Sequence, residues 1–184
     1  DLHAWISGWY SDTLDTNPVD NPLFQRARIL WELGWKQEAL DAFSLLRMMV
    51  KTSPTGLAVI AETASNLGIY PVQIDCANEL IEQAWQAGRN DIPSSLLKLA
   101  YPVAYSAIFT RESDQMGIDG LLMLALAKQE SQFFAQAVSP AGALGIVQVM
   151  PGTGEYIAGQ LGVAYDKQQL LKPGVGIRFG TWYL

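Results

Sequence analysis

The sequence predicts a mainly α-helical chain in two parts. Residues 1–100 read as a helical-repeat segment, and residues 101–184 as a second helical domain with a very small β element. Three observations predict this. Apolar residues recur at spacings of three and four along most of the chain. Breakers such as Thr52-Ser-Pro-Thr-Gly56, Gly68 and Pro71 cut that pattern into helix lengths. The pairs Leu33-Gly34 and Leu67-Gly68 recur 34 residues apart, the period of stacked helix–turn–helix units. Ordinary helical hairpins fit two such copies equally well.

The elements follow in order. Residues 1–20 are rich in Trp, Ser, Asp and Thr, with Pro18 near the end, and read as the tail of a helix and then a loop. From Asn21 the spacing is helical: Phe24, Ala27, Leu30 and Trp31 share a face, and Gly34 ends the helix. A second helix runs from about Trp35 to Val50, with Leu40, Phe43 and Arg47 repeating along it. After the break at 52–56, helices are expected over 57–67 and 71–86. Asn90-Asp-Ile-Pro93 starts another, and Tyr101-Pro102 leads into Tyr105, Ile108 and Phe109. The domain boundary is therefore drawn near residue 100. Towards the end, Thr153 is expected to cap a helix that runs to Leu161 and stops at Gly162. Glu155 in its first turn reads as structural, because negative charge suits that end of the dipole. Leu170-Leu-Lys-Pro173 reads as a loop into a last helix, Val175 to Leu184.

The chemistry concentrates between Asp119 and Thr153. Asp119 is a candidate N-cap for a helix whose residues Leu121 to Ala127 are apolar without interruption, the mark of a buried helix. Glu130 shares a face with Ala127, Leu126 and Met123, so partial desolvation of its carboxylate is expected. Desolvation and the negative end of the helix dipole both favour the protonated form, as a general acid requires. Spacing alone nevertheless favours a Glu that frays into solvent. A loop from Ala135 to Gly145 follows, holding Ser139-Pro140 and Gly142. Gly145 to Met150 then reads as a short extended run, with Gln148 its one polar side chain. By residue pattern alone this is a buried strand with turn glycines at each end.

Composition narrows the class. Hydrophobic residues make up 49% and charged residues 16%, a globular balance. No apolar stretch approaches the ~20 residues that span a bilayer, and no secretory signal is present. The chain begins at Asp1 without methionine and reads as a processed form or an excised piece. A net charge of −6 argues against a nucleic-acid partner. Residues 1–100 hold twelve acids and seven bases, the remainder six and five, so the excess lies in the N-terminal part. Cys76 is the only cysteine and no Cys/His cluster exists, so neither an internal disulfide nor a structural metal is expected. No cofactor is expected. His3 reads as solvated.

Three blocks carry a resemblance: Ala125-Leu-Ala-Lys-Gln-Glu-Ser131, Ser139-Pro-Ala-Gly-Ala-Leu-Gly-Ile-Val-Gln148 and Val149-Met-Pro-Gly-Thr153. In order and spacing they are similar to the catalytic domain of soluble lytic murein transglycosylases, relatives of goose-type lysozyme. The family pattern has Glu-Ser, then Ser-x-x-Gly-Ala-x-Gly-Leu-Met-Gln, then Met-Pro-x-Thr-Ala. The resemblance implies a lysozyme-like α domain after a superhelix of tetratricopeptide-like repeats. That supports the repeat reading of residues 1–100, which could also contact protein partners.

The resemblance also implies the activity. Family members cleave the MurNAc–GlcNAc β-1,4 bond of peptidoglycan glycan strands and leave 1,6-anhydroMurNAc ends, in the cell envelope (periplasmic or extracellular). One Glu acts as acid and then base, here Glu130. Substrate assistance is a recognised exception to the two-carboxylate rule. After Glu130 only Glu155 and Asp166 are acidic, which agrees with a single-Glu scheme. Ser139 would contact the N-acetyl group or the reacting sugar. Gln148 and Met150 would line the glycan groove, and Gly145 would permit close approach of the chain. From the residues alone, Ser139 fits a turn former and Met150 a core residue. A lysozyme-like hydrolase and a non-catalytic glycan-binding or scaffold module are the alternatives.

The sequence departs from the pattern at three places. Ile146-Val147 stands for the family's Leu-Met. Gly176-Ile177 stands for its Asn-Ile, which removes a hydrogen-bonding side chain. After Gly180-Thr-Trp-Tyr-Leu184 the family continues with further helices and a tyrosine-asparagine motif, so these residues read as the N-terminal part of a catalytic domain, incomplete at its C-terminus.

Overall fold

A computed structural model describes residues 1–11 and 17–184. Among them are ten α-helices and no sheet. They form two compact units, Asp1–Pro102 and Val103–Leu184. No helix of the described residues is long and apolar enough to cross a membrane.

The first unit holds α1 (Leu2–Ser7), α2 (Pro22–Glu32), α3 (Lys36–Met49), α4 (Pro54–Asn66), α5 (Tyr70–Gln86) and α6 (Ser94–Ala100). Part of the expected N-terminal loop, residues 12–16, lies outside the described residues. The breaker at 52–56 proves to be a helix start. Ser53 Oγ accepts the Gly56 N–H at 3.0 Å and Pro54 takes the first helical position, so α4 begins earlier than its apolar spacing suggested. The Leu-Gly pairs have one structural cause. Gly34 and Gly68 adopt φ of 87° and 67° after α2 and α4. The next residue's N–H then returns to a carbonyl of the last turn, Trp35 to Leu30 at 3.0 Å and Ile69 to Ala64 at 2.8 Å.

The core of this unit joins α1 to α6 through residues such as Phe24, Phe43, Leu46, Ile60, Leu80 and Leu96. Phe24 and Phe43 meet edge-on with centroids 5.6 Å apart. Cys76 is fully buried on α5, and burial pushes its thiol up to about 12. His3 is not simply solvated: its Nε2 lies 2.9 Å from a Glu62 carboxylate oxygen.

The second unit holds α7 (Ser106–Met116), α8 (Gly120–Ser131), α9 (Pro151–Leu161) and α10 (Pro173–Tyr183). Its β content is two isolated antiparallel bridges, Val138 to Leu144 and Leu144 to Val149. The run expected to extend from Gly145 to Met150 is therefore a turn. Leu144 and Val149 exchange both backbone hydrogen bonds at 3.0 Å, and positive φ at Gly145 (79°) and Gln148 (50°) reverses the chain between them. Met150 occupies the N-cap position of α9, so Thr153 lies inside the first turn and does not cap it. Leu170 and Leu171, expected in a loop, end a 3-10 turn over Lys167–Leu171.

Helix α8 differs most from its reading. Asp119 caps it as expected, accepting the Leu121 N–H at 2.8 Å. Only Met123 and Ala127 are buried, however, while Leu121 is 74% and Leu122 57% exposed. Its buried positions are two residues four apart, and the rest of its apolar run is half-buried or exposed.

Candidate active site

Glu130 sits one residue from the C-terminal end of α8 and is exposed. The desolvation expected from its apolar neighbours is absent: Glu130 is exposed although it shares a face of α8 with the buried Met123 and Ala127. What the structure does supply around Glu130 is a fixed position. The adjacent Ser131 Oγ donates to the Ile146 carbonyl at 2.7 Å, joining the end of α8 to the 145–148 turn. Beyond it, Gln132 and Phe133 both take positive φ, 50° and 64°, to turn the chain away. Such backbone costs roughly 1–3 kcal/mol per residue. Burial of Phe133 offsets it, with the ring edge-on to Phe109 at 6.5 Å.

The turn itself is held by its own polar side chain. Gln148 Nε2 donates to the Gly145 carbonyl at 2.7 Å and to Ala137 at 3.4 Å, which fixes the half-buried amide group. Ser139 acts in the preceding loop: its Oγ accepts the Ala143 N–H at 2.9 Å, and its backbone N–H donates to the Ala143 carbonyl at 3.0 Å. The turn-forming role that its residue type suggested is thus met.

Gly145 and Gly176 share a packing reason. A Cβ at Gly145 would stand 2.2 Å from the Leu170 carbonyl oxygen, and one at Gly176 would stand 2.7 Å from the same atom. The Leu170 carbonyl is gripped between two residues that lack side chains. Gly145 is buried, and this packing alone accounts for its identity. It also shows where Gly176, the departure from Asn, belongs: the volume of a side chain there is taken by backbone. A Cβ at Gly180 would in turn lie 2.2 Å from Val147 Cγ2, so α10 rests directly on the turn. Tyr165 completes the support by covering Gly154 and donating its hydroxyl to the Pro151 carbonyl at 2.7 Å. Burial raises its phenol above the ordinary value, and the Glu155 and Asp166 charges add to that.

A groove of about 270 Å³ opens beside this turn, lined among others by Leu126, Gln148, Met150, Thr153 and Tyr183. Gln148 and Met150 are brought together there, and Met150 is 43% exposed, a surface position and not a core one. Ser139 and Glu130 do not line it. Glu130 follows Leu126, a lining residue, by one helical turn on the same face of α8. The sequence assigns no site role to Ser131 or Tyr183, and reads Thr153 only as a helix cap within the third motif block. Only the Glu-Ser pairing hinted at the first.

The chain is similar to several known proteins. Residues 107–184 match the family model of the Transglycosylase SLT domain. The soluble lytic murein transglycosylase of Salmonella typhimurium is 36% identical over 90 residues, 48% of this chain and 14% of that protein. The solved 70-kDa soluble lytic transglycosylase in complex with bulgecin A superposes with a TM-score of 0.75 at 26% identity, over 94% of this chain and 26% of that one. A lytic transglycosylase of Pseudomonas aeruginosa, solved as an inactive glutamate-to-glutamine variant, gives 0.68 at 25% identity, over 90% and 25%. The chain thus spans a small part of the length of these relatives. Residues 107–184 are assigned to the Transglycosylase SLT domain family.

Proposed function

We propose that residues 103–184 contribute the acid/base centre of a peptidoglycan lytic transglycosylase, with Glu130 as the single reacting carboxyl. The observation that carries this reading is the tether of Ser131 to Ile146. It joins the end of α8, which carries Glu130, to the turn that contains Gln148. Glu130 would first protonate the glycosidic oxygen between MurNAc and GlcNAc, so that the bond breaks with the N-acetyl group assisting at the anomeric carbon. It would then take the proton from the 6-hydroxyl as that oxygen attacks the same carbon, leaving a 1,6-anhydroMurNAc end. Ser139 would contact the N-acetyl group or the reacting sugar, and Gln148 and Met150 the glycan.

With Glu130 exposed, its desolvation would fall to the substrate. A sugar seated over it excludes water, and exclusion of water favours the neutral carboxyl that a general acid needs. The inactive glutamate variant of the Pseudomonas relative supports dependence on one carboxyl. A murein substrate would place the protein in the cell envelope, periplasmic or extracellular, with the helices of residues 1–100 free to meet protein partners.

The test is digestion of murein sacculi with product analysis by mass spectrometry. Anhydromuropeptides that vanish in Glu130→Gln support the proposal. Hydrated reducing ends would replace it with a lysozyme-like hydrolase, and saturable murein binding without cleavage by a glycan-binding module.

A further inference from the structure

A second cavity in residues 103–184 shares no lining residue with the groove beside Met150. It encloses about 720 Å³, within the usual size range of small-molecule sites. Of the five lysines and arginines after residue 102, three line it: Arg111, Lys172 and Arg178. One carboxylate faces them, Glu112, whose side chain is 4% exposed. Glu112 is already engaged, its Oε1 accepting from Arg111 Nε at 2.8 Å and Nη2 at 2.6 Å. Lys172 and Arg178 have no side-chain hydrogen bond or ion pair among the described residues.

Their placement adds to the charge. Lys172 is the N-cap residue of α10, and no side chain caps that helix. The positive end of its dipole is therefore unanswered where Gly174 lines the cavity. Val163, Val175 and Phe179 supply an apolar wall. In a chain of net charge −6, two unpaired cations and an open helix start around one cavity run against the overall balance.

We propose that this cavity binds a small organic anion, a carboxylate or a phosphate monoester with an apolar portion. The oxyanion sits on Arg178 and Lys172 at the start of α10, with the guanidinium offering a forked pair of donors. The apolar portion lies against Val163, Val175 and Phe179. This reading is independent of glycan cleavage.

Calorimetric titration with phenyl phosphate, N-acetylphenylalanine and the uncharged N-acetylphenylalanine amide tests it. At least one anion is expected to bind saturably, at least tenfold more tightly than the amide, and the tighter anion identifies the oxyanion. The Lys172→Gln/Arg178→Gln double variant is expected to lose at least tenfold in affinity for it. No saturable binding, equal binding of the amide, or an unchanged double variant each overturns the proposal. Should the double variant fail to fold, the comparison of anion with amide in the unaltered protein still decides.

Discussion

Helices α5 and α8 are both rich in apolar residues, yet they use them differently. Eight of the seventeen residues of α5 are buried, against two of the twelve in α8. In α5 the apolar residues Val72, Cys76, Ala77, Leu80, Ile81 and Ala84 fall at helical spacings and are broken by polar ones, so they form one face that the unit can cover. In α8 the run from Leu121 to Ala127 goes all the way round, and the unit covers one stripe. The lesson is that spacing specifies burial, whereas an uninterrupted run only permits it.

The sharpest way to break this comparison is at its buried end. Leu80→Ala, at a fully buried site, is expected to cost about 2–5 kcal/mol in chemical denaturation. A cost below about 1 kcal/mol would mean that α5 is not the packed reference it is taken to be.

Cys76 sharpens the same end through pH. Its folded pKa, about 12, lies above the ordinary thiol value, so the thiol stays neutral in the fold while the unfolded chain ionises above pH 9. The stability it supports is complete below that pH and falls as pH rises towards the folded value. From pH 8 to pH 10 the expected loss from this residue is about 1.4 kcal/mol, roughly one pKa unit's worth. The readout is the difference in pH slope between the unaltered protein and Cys76→Ala. Parallel slopes would show the thiol to be open. Reagents that alkylate thiols should modify Cys76 only on unfolding.

The smallest effect is expected at the exposed end. Leu121→Ser should change stability by no more than about 0.5 kcal/mol, the ordinary range of surface positions. A cost like that of Leu80→Ala would show that something covers this face of α8 in solution.

Much of the second unit was readable in advance because its signals are local. Asp119 and Gly162 mark helix ends through their own backbone preferences, and the Glu-Ser, Ser139–Gln148 and Met-Pro blocks lie within thirty residues of one another. Thr153 does not cap α9 because Pro151 starts the helix three residues sooner than a cap at 153 requires. The 145–148 turn was misread as a strand because Ile146, Val147 and Val149 look alike in either. Positive φ at a glutamine leaves no mark in composition.

The sequence by itself determined where most of the helices run and which carboxyl stands at the end of α8, since both follow from short-range spacing and the order of three motifs. Only the tertiary structure decided that Glu130 is exposed, that Leu170 needs glycines at both 145 and 176, and that Arg111, Lys172 and Arg178 share a cavity. Each of these depends on which distant backbone or side chain comes to occupy a given volume. That is settled by packing across many residues, not by the chemistry of neighbours along the chain.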